Sequence, residues 1–268
     1  MMLSPKPSKT RYFCQVVRDG KQDNFLVDLD LLVLSFATGV QDAISYPDYR
    51  CFASNQTGNT VLLAVAAAGD TALFDKRNII CSLFVFLASC FIMGQIGNLF
   101  GPRKRWWLVT TNLLSTAMVF ATAVLQYVRP VRVSGSTALG AITLLAFSSG
   151  AQVAMARPLN VPQITTAMAT AAWVDLLVDA KLGKKDNMER NKRFTFLMML
   201  TLGSFVGAFS RARVNSALAL IICGSLKIRP QRRVGAEVDL RQQHQDARYD
   251  SLNMGKVRLR AVEPDVRI

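Results

Sequence analysis

Apolar and polar positions follow one another along this chain in long blocks. Stretches without a charged residue run from Cys51 to Gly69, Asn78 to Pro102, Trp106 to Val128, Val133 to Ala156, Pro158 to Val174, Phe194 to Ser210 and Val214 to Leu226. About 20 residues at about 1.5 Å rise cross a bilayer core of about 30 Å, so several of these blocks are long enough to span one. The blocks predict an all-α, polytopic transmembrane bundle of about 6–8 helices. The expected segments are Phe25–Tyr46, Asn55–Phe74, Asn78–Phe100, Trp106–Val128, Ser136–Ala156, Asn160–Ala180, Phe194–Ser210 and a short Val214–Leu226. The last is short enough to be a partial or tilted span. The second opens on Asn-Gln-Thr-Gly-Asn-Thr and reads either as a full span or as a helix broken at Gly58.

The blocks divide the chain into a basic tail over 1–24, a transmembrane domain over 25–226 with halves at about 25–128 and 136–226, and a polar tail over 227–268 expected to be disordered. The first 25 residues lack an apolar signal-peptide core, so the first span is expected to act as its own uncleaved signal. Composition agrees: 51% of the residues are hydrophobic and the mean hydropathy is +0.24.

The formal charge of +14 would suggest nucleic acid in a soluble chain. Here Lys and Arg sit in the tails and between the blocks, where they orient the protein and meet anionic lipid head groups, so no nucleic-acid partner is expected. Grouping the N-terminal tail with Lys76/Arg77, Arg129/Arg132, the loop Lys181–Arg193 and the C-terminal tail puts both termini in the cytoplasm, with a plasma membrane favoured over an internal one. Arg103, Lys104 and Arg105 disagree with that grouping. Either the second segment is re-entrant or this short link breaks the rule.

The halves share short motifs. Phe36-Ala-Thr-Gly-Val-Gln41 returns as Phe147-Ser-Ser-Gly-Ala-Gln152, and Met93-Gly94 with Phe100 returns as Leu202-Gly203 with Phe209. With four segments per half, an internal repeat would be parallel and would make the first and fifth segments partners. Gly97 and Gly101, and Gly203 and Gly207, form G-x-x-x-G pairs expected at helix-packing contacts.

Candidate chemistry gathers between Leu31 and Leu63. Asp42 near the end of an apolar span costs about 2.5–3.5 kcal/mol on insertion scales and needs the bundle interior or a partner. Gln41, Asp42, Asn55, Gln56, Thr57, Gly58 and Asn59 are the candidate substrate-binding residues, with helix capping as the competing reading for Asn55, Thr57 and Asn59, and an interfacial place capping the turn before Pro47 for Asp42. Asp175 and Asp179 lie four apart, Asp179 beside the lysines of an interface. Cys14, Cys51, Cys81, Cys90 and Cys223 show no paired spacing, and the one histidine, His244, lies in the tail. No metal site, cofactor or catalytic constellation is expected, and the chain is not expected to be an enzyme.

The run Gly39-Val-Gln-Asp42-Ala43, then Phe52-Ala-Ser-Asn-Gln-Thr57-Gly58-Asn59-Thr-Val-Leu-Leu63, resembles the signature of the YoaK-like family of multispanning membrane proteins, domain of unknown function 1275, in a fungal-type form. The likeness covers about residues 28–226. Where many members repeat a Thr-Gly motif, this chain has Thr170-Ala171-Ala172. The resemblance implies a multispanning membrane protein without an established substrate or reaction. The expected function is a transporter-like carrier of a small polar solute or ion; the alternative is a non-transporting scaffold or lipid-organising protein.

Overall fold

The computed structural model describes residues 32–69, 75–102, 104–129, 131–159, 169–184 and 187–228. Among the described residues the chain is all helix and turn. The helices are α1 (residues 32–49), α2 (Gln56–Ala67), α3 (Lys76–Phe100), α4 (Arg105–Val128), α5 (Ser136–Ala156), α6 (Ala169–Leu177), α7 (Met188–Arg213) and α8 (Ser216–Ile228), with a 3-10 turn over Arg157–Leu159. Residues 25–31 of the first expected span, and 160–168 of the sixth, lie outside the described residues.

Local chemistry explains the helix ends. The side chains of Asn55, Asp75 and Asn187 accept from the free N–H groups of Gly58, Arg77 and Arg190 at 3.0, 2.9 and 3.0 Å. Gly101 closes α3 at φ 97°, its N–H donating to Gly97 C=O at 2.9 Å. Gly101 therefore caps a helix and is not one of the close helix contacts expected of it. Gly97 makes room for the Trp107 indole from α4.

Four helices, α3, α4 from Trp106, α5 and α7, are long and apolar enough to cross a membrane. Their burial is inverted relative to a protein in water. On α3, Phe84, Phe91 and Leu99 are 72%, 68% and 82% exposed, while Asn78, Ser82 and Ser89 are fully buried. On α4, Thr111, Asn112, Ser115 and Thr116 point inward and Leu113, Val124 and Tyr127 outward. Lipid is the solvent that makes this arrangement stable: it accepts the apolar exterior and drives polar groups to partners inside.

Small residues let the helices close around that interior. A Cβ added at Gly203 would collide with Phe36 C=O of α1, and one at Gly39 with Leu200 C=O of α7. Gly207 lies as tightly against Val40, where an added Cβ would sit 2.7 Å from the carbonyl oxygen. Gly150 of α5 meets α3 in the same way, 2.6 Å from Phe86 C=O. Gly203 and Gly207 thus hold α7 against α1.

Side-chain bonds fix the direction of each helix. Asn78 Nδ2, at the start of α3, donates to Tyr49 C=O at the end of α1 (2.9 Å) and to Val133 C=O before α5 (2.7 Å). Gln126, near the end of α4, donates to Tyr49 Oη at 2.6 Å, and Arg211, near the end of α7, pairs with Asp48 at 2.5 Å. One end of the bundle therefore holds the ends of α1, α4 and α7 and the starts of α3 and α5. Leu32 packs with Phe196 and Leu197 toward the other end.

Two expectations change. The chain leaves α1 and enters α3 at the same end, so the segment 55–74 does not carry it across; it is re-entrant, and α2, at 12 residues and roughly 18 Å, runs unbroken through Gly58, where a break was the other expectation. Lys76, Arg77, Arg129 and Arg132 then lie at the end opposite Leu32, and the link at Pro102–Arg105 lies at the Leu32 end. Secondly, α1 and α5 run in opposite directions, so the halves are not arranged in parallel.

Candidate functional site

The polar residues singled out around α1 and α2 separate into three groups. Asp42 accepts from Ser54 twice, at Oδ1 from the N–H (2.9 Å) and at Oδ2 from the hydroxyl (2.5 Å), which ties the loop after Pro47 back onto α1. Gln41 is buried and turns elsewhere, its Nε2 donating to Leu145 C=O at 3.1 Å and Ser149 Oγ at 2.8 Å on α5. Asn59, fully buried, accepts from Phe52 N–H at 2.8 Å and donates from Nδ2 to Phe52 C=O (2.8 Å), Gln56 Oε1 (2.8 Å) and Ser82 Oγ (3.1 Å).

Gln56 completes that last group by donating to Ala53 C=O at 3.1 Å. Gly58 sits where a Cβ would touch the Phe52 ring at 3.0 Å. Asn55 and Thr57 are exposed at the start of α2, Asn55 as its cap. The structure thus joins Gln56 and Asn59 through Phe52 and Ser82, and leaves Asn55 and Thr57 outside that network.

A second polar centre lies between α4, α5 and α8. Lys227 is fully buried there, its ammonium donating to Ser148 Oγ at 3.1 Å and Ser115 Oγ at 3.3 Å. Those two hydroxyls lie 2.8 Å apart and also bond each other's backbone carbonyls, at 3.1 Å to Ser148 C=O and 2.9 Å to Ser115 C=O. Asn112 Nδ2 donates to Lys227 C=O at 3.2 Å, capping the end of α8. Among the described residues no carboxylate is ion-paired with Lys227.

Three further atoms of α4 raise the polarity of this centre without being satisfied: Thr111 Oγ1, Asn112 Oδ1 and Thr116 Oγ1 are buried and have no hydrogen-bond partner. Among the described residues Asn78 Oδ1 and Gln126 Oε1, near Tyr49, are the other two such oxygens, so α4 holds most of them. The centre also lies deep. Ser115 is near the middle of α4, and the 13 described residues of α8 reach it at Lys227.

Sequence reasoning missed this centre. Lys227 falls where an apolar run gives way to a charged tail, and reads as the first residue of that tail; the structure continues α8 to Ile228 and buries it. The one available signal was Thr111-Asn-Leu-Leu-Ser-Thr116, a polar cluster at i, i+1, i+4 and i+5 within the Trp106–Val128 block.

An apolar exterior around buried hydroxyls, amides and a lysine defines a polytopic, integral membrane protein with a polar interior. The chain belongs to the family described as protein of unknown function (DUF1275), whose model matches residues 31–228. No curated protein and no solved structure matches it.

Proposed function

We propose that this protein is a carrier for a small polar solute or ion, and that the solute is handled at the Lys227 centre. The observation that carries the reading is a fully buried lysine with no carboxylate paired to it among the described residues, against the face of α4 that carries three unsatisfied oxygens. Ionisable groups within a membrane are costly and mark solute or ion paths. The charge of Lys227 favours a small carboxylate, with the hydroxyls of Thr111 and Thr116 and the Asn112 carbonyl as orienting groups. Gln41 and Ser149 would line the approach from α1. No reaction is assigned to the site.

A second line of support is a set of matching contacts that we read as an inverted internal repeat, the architecture in which carriers hold solute at mid-membrane between two copies. Gly39 meets Leu200 as Gly150 meets Phe86. Phe36 C=O faces Gly203 as Phe147 C=O accepts from Ser89 (2.8 Å). Ala37 C=O accepts from Cys223 (3.2 Å) as Ser148 C=O accepts from Ser115. These pairs match α1 with α5, α3 with α7 and α4 with α8, and align Ser89, not Gly94, with Gly203. On this reading the Leu32 end, with the basic link before α4 and the loop before α7, is cytoplasmic, consistent with the positive-inside rule.

The test is thermal unfolding of purified full-length protein with a panel of small monocarboxylates, dicarboxylates, alkali cations and polyols. A solute at about 100 times its Kd stabilises the folded state by about 2.7 kcal/mol. The expected result is stabilisation by one carboxylate class in the wild type, absent in Lys227→Met. A panel that stabilises neither protein, or both equally, removes the reading.

The Asn59 network favours a second reading, a non-transporting membrane scaffold. Its amide is fully occupied in locking α2, the preceding loop and α3 together, so these residues act as structural fasteners whichever reading holds.

A further inference from the structure

At the Leu32 end, the end of α3, the start of α4 and the end of α5 surround a cavity of about 370 Å³. Small residues create the space: Gly94 has nothing within 4 Å of where a Cβ would lie, and Ala154 faces it from α5. Three polar side chains line this cavity, Arg157, Gln95 and Asn98, and all three are exposed. None makes a side-chain hydrogen bond or ion pair with the described residues.

The position of the two amides is the anomaly. On α3 the outward stripe runs Phe84, Leu87, Phe91, and then Gln95 and Asn98 take the next places before Leu99. Amides that replace apolar residues on the outward stripe mark where hydrocarbon gives way to head groups, so a polar group belongs against them. They lie in the last two turns before Gly101, at head-group depth, with Trp106 half-exposed beside them as an interface anchor. Among the described lining residues Arg157 carries the one full charge, and in sequence Arg103, Lys104 and Arg105 follow directly on Pro102, itself part of the wall.

We propose that this cavity binds the phosphate head group of an anionic phospholipid. The Arg157 guanidinium offers the paired N–H donors that fit a phosphate, Gln95 and Asn98 hydrogen-bond the head-group oxygens, and the acyl chains lie along Leu87 and Phe91. The volume is that of a small-ligand site. Basic pockets between helices at a membrane face recognise anionic lipid in this way. This site is separate from the Lys227 centre and stands or falls without it.

The experiment is titration of the purified full-length protein in micelles with phosphatidylserine, phosphatidylcholine or water-soluble glycerol phosphate, read as the shift in unfolding temperature. Phosphatidylserine, with a net negative head group, should raise it saturably; phosphatidylcholine, whose choline cation neutralises the same phosphate, and glycerol phosphate, which lacks the acyl chains, should not. Arg157→Gln should weaken the apparent affinity about tenfold, the scale of one charged hydrogen-bonded contact. Arg129→Gln, exposed at the opposite end, should leave it unchanged, and Gln95→Leu with Asn98→Leu should weaken it without removing any charge. Equal response to phosphatidylcholine, or an unaltered response in Arg157→Gln, overturns the site. A matching response to glycerol phosphate overturns the lipid and assigns a soluble phosphate ester instead.

Discussion

Lys227 Nζ lies 3.1 Å from Ser148 Oγ at the point where α8 ends, and the partner it finds there is a hydroxyl and not a carboxylate. The end of a helix is a favourable place for a cation, because the last carbonyls carry partial negative charge. That relieves part of the cost of burial and leaves the remainder uncompensated. Replacing even a buried ion pair with apolar chains of similar volume is often neutral or stabilising, by about 1–4 kcal/mol, and a buried lysine held only by hydroxyls has less attraction to lose. Lys227→Met is therefore expected to unfold at or above the wild-type temperature. A fall of several degrees would make the charge a requirement of the fold.

Glycine substitutions should separate close helix contacts from open ones. Gly203→Ala forces a methyl into Phe36 C=O, an overpacking that costs about 1–3 kcal/mol. Gly94→Ala meets nothing within 4 Å and should be neutral or stabilising by about 0.5–1 kcal/mol. Thermal unfolding of the two variants side by side measures the difference, and equal effects would contradict the α1–α7 contact.

Asn59→Leu should be among the most damaging single changes near α2. It leaves the Phe52 N–H without its acceptor and removes donors from Gln56 and Ser82, at about 1–3 kcal/mol for each buried group left unpaired. Thr57→Ala, on an exposed position two residues away, should stay within about 0.5 kcal/mol. If Thr57→Ala proves as costly, the network described around Asn59 is not what holds α2 in place.

The connection between α6 and α7 should loosen in acid. The Lys181 N–H, first of all, then the Asn187 amide and the charge of Arg193, hold the Asp179 carboxyl below its ordinary range. A carboxylate whose folded value is lowered contributes stability that is complete above the unfolded value and is lost as pH falls through the folded one. Amide hydrogen exchange of residues 179–190, corrected for intrinsic rate, should accelerate below about pH 4. Asp179→Asn should exchange fast at every pH; a wild-type profile flat down to pH 2 would remove Asp179 from this role.

Hydropathy alone located the segments that became α3, α4, α5 and α7, because entry into lipid depends on the summed transfer of one contiguous stretch. The glycines at 203 and 207 were legible for a related reason: their spacing puts both on one helix face, whatever that face meets. The Asn55–Asn59 motif was visible as polar chemistry at a helix start, and the structure puts Asn55 to work as a cap. Its partner Ser82 was not visible, since nothing in a run of apolar residues says which serine faces inward.

By itself, the sequence determined that this chain is a helical bundle built for a membrane, and that its early polar motif lies at the start of a helix. Only the tertiary structure decided that α2 turns back, that α1 and α5 oppose each other, and that Lys227 is buried. The bonds responsible, Asn78 to Tyr49, Gln41 to Ser149 and Lys227 to Ser148, join residues far apart in the chain. A lysine at the end of an apolar run can reach the membrane surface or sink among hydroxyls at nearly the same local cost. The neighbours that choose between these outcomes, Ser115 and Ser148, come from two other helices, and no local pattern contains them.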